Sequence, residues 1–161
     1  ELLIRLWARL APSFPDWELY IVGDGKMRAE LTALVSSLGL TGSITLATPT
    51  HQMQEVYRSS SVYAMTSRYE GLPMVLLEAQ QMGLPIVSFA CPCGPRDVIT
   101  DGRDGFLIEP GDEERFVAEL SRLMADEELR CKMGKEARKA SLRYTVDHVM
   151  AQWVELFEGL G

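Results

Sequence analysis

The sequence predicts an α/β domain: a doubly wound, Rossmann-like parallel sheet with helices on both faces and a helical C-terminal tail. Three observations predict it. Short apolar runs alternate with segments of helical period as far as about residue 125. Those runs lack the polar/apolar alternation of half-exposed strands, as expected of parallel strands covered on both sides. Beyond them only helical periodicity remains.

Leu3, Leu6, Trp7 and Leu10 recur at helical spacing, and Pro12 and Pro15 stop that helix. Residues 17–22 read as a strand running into the turn Gly23-Asp24-Gly25. Met27, Leu31, Leu34, Val35 and Leu38 mark a helix closed by Gly39. Residues 44–46 give a second strand, 50–60 a small helix around Met53, Val56 and Tyr57, and 62–66 a third strand. A loop leads from it into a helix over 73–82, closed by Gly83. A fourth strand (84–89), a loop with Pro92, Gly94 and Pro95, a helical turn near Val98 and a fifth strand (106–108) follow. Helices over Glu113–Ala125, 127–143 and Val146–Glu158 complete the chain.

At 161 residues, 47% hydrophobic and 24% charged, the chain suits one folded domain with its own core. No linker, repeat or low-complexity tract interrupts residues 1–161, so we read them as a single domain. It opens at Glu1, already helical and without a methionine, which suggests a piece of a longer protein. The apolar run Met74-Val75-Leu76-Leu77 is far too short to cross a membrane, and no secretory leader opens the chain. Net charge is −7, which argues against a nucleic-acid surface. Arg130, Lys132, Lys135, Arg138, Lys139 and Arg143 form a late basic cluster that leaves room for peripheral contact with an anionic membrane. Asp126, Glu127, Glu128 and Glu136 are interspersed, and mixed signs favour a solvated helix face. Cys91, Cys93 and Cys131 are odd in number and fit neither a disulfide framework nor a zinc site; Cys91 and Cys93, either side of a loop proline, read as small buried fillers rather than reactive thiols, and the compartment as a reducing cytoplasm.

In open parallel sheets, ligands sit outside the carboxyl ends of the strands. Three loops follow strands here: Gly23-Asp24-Gly25, residues 67–73 and residues 90–97. They should line one crevice. The middle loop reads Glu70-Gly71-Leu72-Pro73-Met74-Val75-Leu76-Leu77-Glu78. Pro73 suits the first helical position, where a missing N–H costs nothing. The amides of Met74 and Val75 are then free, and with the helix dipole they suit a phosphate. Gly71 lets a ligand approach the backbone. Glu78 lies a turn inside the helix, and helical side chains lean toward the N-terminus, so its carboxylate can accept from two ribose hydroxyls. Taken singly, Glu70 reads better as a partner for the helix dipole and Glu78 as a solvent-facing helix residue. Their combination with glycine and proline after a buried strand points to a site. The segment between them is apolar, so the helix is expected to be largely buried and its charge to need a partner.

The stretch "YAMTSRYEGLPMVLLE" at 63–78 resembles the signature of retaining glycosyltransferases built from two facing Rossmann-like domains, the GT-B architecture. That signature is Glu-x7-Glu with Gly-Leu/Phe-Pro inside it. "WELYIVGDG" at 17–25 and "GLPIVSFACPCGPRDVITDGRDGFLIEPGD" at 83–112 are similar to the same family's C-terminal donor domain, in the same order. The resemblance implies one half of a GT-B enzyme, transferring a sugar with retention from a nucleotide-diphosphate sugar to a glycan, lipid or small-molecule acceptor. It implies no cofactor and no protein-bound metal, and UDP is favoured from its frequency in the family. By position, Glu70 matches the acid beside the donor sugar and Glu78 the acid that holds the ribose. Gly71, Leu72, Pro73, Met74 and Val75 match the turn that meets the sugar and distal phosphate. Gly23 and Gly25 match a glycine pair lining the cleft, although Arg28 stands where a dinucleotide fingerprint has its third glycine. Asp97 stands where the family often has glutamate, and no role is assigned to it. The family's first strand, its diphosphate-binding Arg/Lys pair and its N-terminal acceptor domain are expected before residue 1.

Two rival readings share the fold. A sugar-nucleotide epimerase of the same architecture needs groups placed for proton abstraction, yet His51 and His148 sit away from the three loops. A flavodoxin-like signalling module would cluster aspartates after its first strand, and none do. The tail stripe of Val146, Val149, Met150, Trp153 and Phe157 suits packing either near the missing half or on this domain's own sheet.

Overall fold

The computed structural model describes residues 1–160. Helix α1 (Leu2–Leu10) is followed by a 3-10 turn at Ala11–Ser13, strand β1 (Leu19–Val22), α2 (Arg28–Ser37), β2 (Ile44–Ala47) and α3 (Met53–Ser59). Then come β3 (Tyr63–Met65), α4 (Met74–Gln81), β4 (Ile86–Phe89), the short α5 (Pro95–Val98) and β5 (Gly105–Ile108). Helices α6 (Glu113–Ala125), α7 (Glu127–Ser141) and α8 (Val146–Glu158) end the chain. Every strand pair is parallel.

Strand side chains alternate between two faces, and each face has its own core. Val87, Phe89, Phe106 and Ile108 enter the larger core with Ile4, Leu6, Trp7 and Leu10 of α1 and Phe116, Leu120 and Leu123 of α6. Their neighbours Ile86 and Leu107 point the other way, toward Tyr57, Leu76, Ala79 and Val98. Helices therefore cover both faces, and β4 is buried at every residue.

The expected single sheet is in two parts. Strands β1 and β2 pair with each other, and β3, β4 and β5 form a second set in that order. Leu19, Ile21 and Leu46 of the first set pack on the same core as β4 and β5 of the second. The parts share a core without sharing a ladder, because β1 and β3 each pair on one side only. The exposure of β1 agrees: Tyr20 keeps 48% of its surface, unlike a central strand of a covered sheet.

Side-chain caps start the three C-terminal helices, the third being Thr145 at α8. Asp112 accepts from the Arg115 amide (3.0 Å) at the start of α6, and Asp126 from the Leu129 amide (2.8 Å) at the start of α7. Helix α4 begins without any side-chain cap. Helix α8 projects its apolar stripe outward: Val146, Met150, Trp153 and Phe157 are all exposed and the helix buries no residue. That removes packing on the domain's own sheet as the explanation of the stripe.

Candidate functional site

The loop from β3 to α4 carries the candidate carboxylates. Pro73 stands one position earlier than the sequence suggested, flanking the helix with ψ 94° while Met74 takes the first helical turn. An extended ψ at Pro73 turns the chain into the helix. The consequence for ligand binding is unchanged: the Leu76 amide donates to the Pro73 carbonyl (2.9 Å), and the amides of Met74 and Val75 have no acceptor among the described residues.

Helix α4 is less buried than expected. Leu76, Ala79 and Gln80 face the core, but Met74 is 57% and Val75 37% exposed. The helix meets the core along one side only, so the apolar residues of its first turn face outward. Glu78 lies one turn beyond Met74 on that exposed side, so its carboxylate stands one turn from the two free amides. Its charge is not buried. It has a hydrogen-bond partner all the same, the Tyr57 hydroxyl at 2.8 Å from its Oε2.

Glu70, half-buried, and Glu78 both act on Tyr63 of β3. Burial first, then the charges of Glu78 and Glu70, push the Tyr63 phenol up to about 12. Burial also raises the Cys91 thiol, with Glu70 adding to it, so the loop after β4 lies beside Glu70. Neither glutamate has an ion-pair partner among the described residues. Two carboxylates left unneutralised around one buried ring suit the donors of a ligand.

The two loops are in backbone contact. A Cβ on Gly94 would lie 2.3 Å from the Gly71 carbonyl oxygen and 2.4 Å from Cδ of Pro73. Gly94 has φ +76°, and Cys93 before it has φ +65°, so the chain folds back tightly there. Cys91 is the buried filler the sequence suggested, whereas Cys93 is exposed.

Gly23 and Gly25 follow β1, and nothing lies within 4 Å of a Cβ built on either one, or on Gly71. Open space of that kind fits a ligand passing over the backbone. No hydrogen bond among the described residues joins Gly23 or Gly25 to the Glu70 loop, and each set lies on a different part of the sheet. Arg28 does not line open space: its guanidinium donates to the carbonyls of Gly23 (3.2 Å) and Leu46 (2.9 Å).

Sequence reading missed Tyr57, Tyr63, Arg143 and Tyr144. Tyr57 entered only as part of a helical period and Tyr63 only as the start of a strand, although a phenol held in a core needs a partner and that requirement was the available signal. Arg143, grouped with the solvated basic cluster, instead donates to the carbonyls of Asp97 (2.9 Å) and Val98 (2.6 Å). The Tyr144 hydroxyl joins it on Asp97 (2.7 Å), and together they fix the end of the loop after β4.

A parallel, two-faced domain with this loop pair defines a class, and sequence comparison agrees. The chain belongs to the family "Glycosyl transferases group 1", whose sequence profile matches residues 1–140. Among curated relatives, the amylovoran biosynthesis glycosyltransferase AmsD of Erwinia amylovora is 41% identical over 154 residues, 96% of this chain and 43% of that protein. An exopolysaccharide phosphotransferase of Streptomyces coelicolor is 38% identical over 158 residues, 98% of this chain and 17% of that protein. The chain thus spans less than half the length of either relative. Among solved structures, a variant of S. aureus TarM in complex with UDP, α-GlcNAc-glycerol and fondaparinux superposes with a TM-score of 0.91. It is 24% identical, over 97% of this chain and 32% of that one. The fold is accordingly the Rossmann-like half of a GT-B architecture.

Proposed function

We propose that residues 1–161 are the donor-binding half of a retaining glycosyltransferase, which moves a sugar from a nucleotide-diphosphate sugar to a glycan, lipid or small-molecule acceptor. One observation carries it. The uncapped start of α4 leaves the Met74 and Val75 amides free, one turn before the exposed Glu78 and directly after the Glu70 loop. The amides and helix dipole receive the distal phosphate, and the charge that develops on the departing diphosphate strengthens those contacts in the transition state. Glu78 accepts from the ribose hydroxyls, and Glu70 stands beside the donor sugar. Gly23, Gly25, Gly71, Leu72 and Pro73 form the walls. The UDP bound in the TarM structure supports UDP as the nucleotide.

The divided sheet supports the domain reading. Tyr20 and Val22 of β1 alternate with the residues that pair to β2, so their backbone groups point to its open edge, as does Ala64 on β3. A single parallel strand, contributed by another part of the full-length protein, joins the two parts. The groove on α7 lined by Lys132, Lys135, Arg138 and Lys139 also carries Glu128 and Glu136. Glu136 pairs with Lys139 (2.6 Å) and Arg103 (3.1 Å), so we assign that face to solvent rather than to a membrane. No helix among the described residues is long and apolar enough to cross a membrane.

The test is transfer by the full-length protein from UDP-sugars labelled separately in the sugar and in the β-phosphate. Sugar label in the product without phosphate label supports glycosyl transfer. Phosphate label in the product would favour the reaction class named for the Streptomyces relative and overturn this reading.

A further inference from the structure

We infer that Tyr57 is a positioning residue for the donor nucleotide, acting through Glu78. The inference rests on the proposed role of Glu78 as the acceptor for the ribose hydroxyls.

Tyr57 lies on α3, 21 residues away in sequence, and only 5% of its surface is exposed. Its ring is packed in the smaller core, with the Tyr63 ring centroid 6.0 Å away at 46°. From that fixed position its hydroxyl donates to Oε2 of Glu78 at 2.8 Å. The ring cannot follow the carboxylate, so the carboxylate must hold still for the ring. Glu78 otherwise stands on an exposed helix face, where a glutamate side chain samples many rotamers and its terminal torsion is broad.

A carboxylate offers about four acceptor positions. Tyr57 uses one, on Oε2, and Oε1 accepts from no group among the described residues. Two neighbouring hydroxyls on a five-membered ring need a carboxylate whose plane is already set, because each bond is directional. A hydroxyl anchored in the core supplies that setting before the ligand arrives. The donor is also permanent. Burial, the bond to Glu78 and the neighbouring Tyr63 and Glu78 raise the Tyr57 phenol far above physiological pH, so it keeps its proton.

The experiment measures binding of UDP and of 2′,3′-dideoxy-UDP to the full-length protein by calorimetry, for wild type, Tyr57→Phe, Glu78→Gln and the double variant. Phenylalanine keeps the ring and its packing against Tyr63, so only the hydroxyl is lost. Tyr57→Phe should weaken UDP about five- to tenfold and leave the dideoxy analogue within about twofold of wild type. The double variant should bind UDP no worse than Glu78→Gln alone, since both changes remove one arrangement. Equal weakening of both nucleotides by Tyr57→Phe makes the role structural and overturns the inference. Unchanged UDP binding in Tyr57→Phe, with weakened UDP binding in Glu78→Gln, overturns it while leaving the reading of Glu78 standing. Glu78→Gln that binds UDP as wild type does overturns both.

Discussion

Gly94 and Gly71 touch through their backbones: a side chain on Gly94 would begin 2.3 Å from the Gly71 carbonyl oxygen. The loops after β3 and β4 are therefore one piece of structure. Gly94 also holds φ +76°, where an alanine is strained. Gly94→Ala should destabilise the fold by about 2 kcal/mol or more, from overpacking and strain together. Because Gly71 and Pro73 must give way, nucleotide affinity should fall as well. Denaturant unfolding and calorimetry on the same variant check both; a stable variant with normal affinity would show that the two loops are independent.

Glu78→Gln tests the nucleotide site most directly. Removing the charge while keeping the shape should weaken binding of a nucleoside diphosphate by about 1.5–3 kcal/mol, the usual worth of hydrogen bonds to charged groups. Titration calorimetry showing wild-type affinity in the folded variant would remove Glu78 from the site.

The Glu70 loop was legible in the sequence because its signals are local: a glycine, a proline at a helix start and two acids at fixed spacing. So were the apolar runs of β4 and β5 and the helices that follow them, whereas the caps Asp112 and Asp126 were not singled out. What escaped depended on contacts distant in sequence. The Tyr57–Glu78 bond joins elements 21 residues apart, and the reach of Arg143 to Val98 spans 45. No periodicity encodes either. The division of the sheet was equally hidden, since β1 and β3 each read as good strands and pairing is not a property of one strand.

Glu70 should separate from Glu78 in kinetics. In the proposed reading it stands beside the donor sugar, and its charge helps raise the Tyr63 phenol and the Cys91 thiol. Glu70→Ala in the full-length enzyme should lower turnover about a hundredfold or more while changing affinity for the bare nucleotide less than about threefold. Equal losses in both quantities would make Glu70 a structural residue at the entrance to α4.

Residues 1–161 alone should bind a nucleotide diphosphate weakly and transfer no sugar. Transfer needs donor and acceptor held together in near-attack geometry, and one Rossmann-like half supplies only the donor's share. In the proposed reading it also needs cations beside the departing diphosphate, supplied by a part of the full-length protein outside residues 1–161. In the proposed arrangement the open edges of β1 and β3 receive a further strand, and the loops that would meet a nucleotide depend on it. Helix α8 adds a third reason. Its stripe of Val146, Met150, Trp153 and Phe157 is bare, and in the proposed reading another part of the full-length protein covers that apolar face. Without that cover the helix has little to hold its orientation. The measurement is transfer of labelled sugar by residues 1–161 beside the full-length enzyme, with calorimetry of UDP binding to both. Binding by the shorter chain without turnover is the expected result, and turnover equal to that of the full-length enzyme would sink the half-enzyme reading.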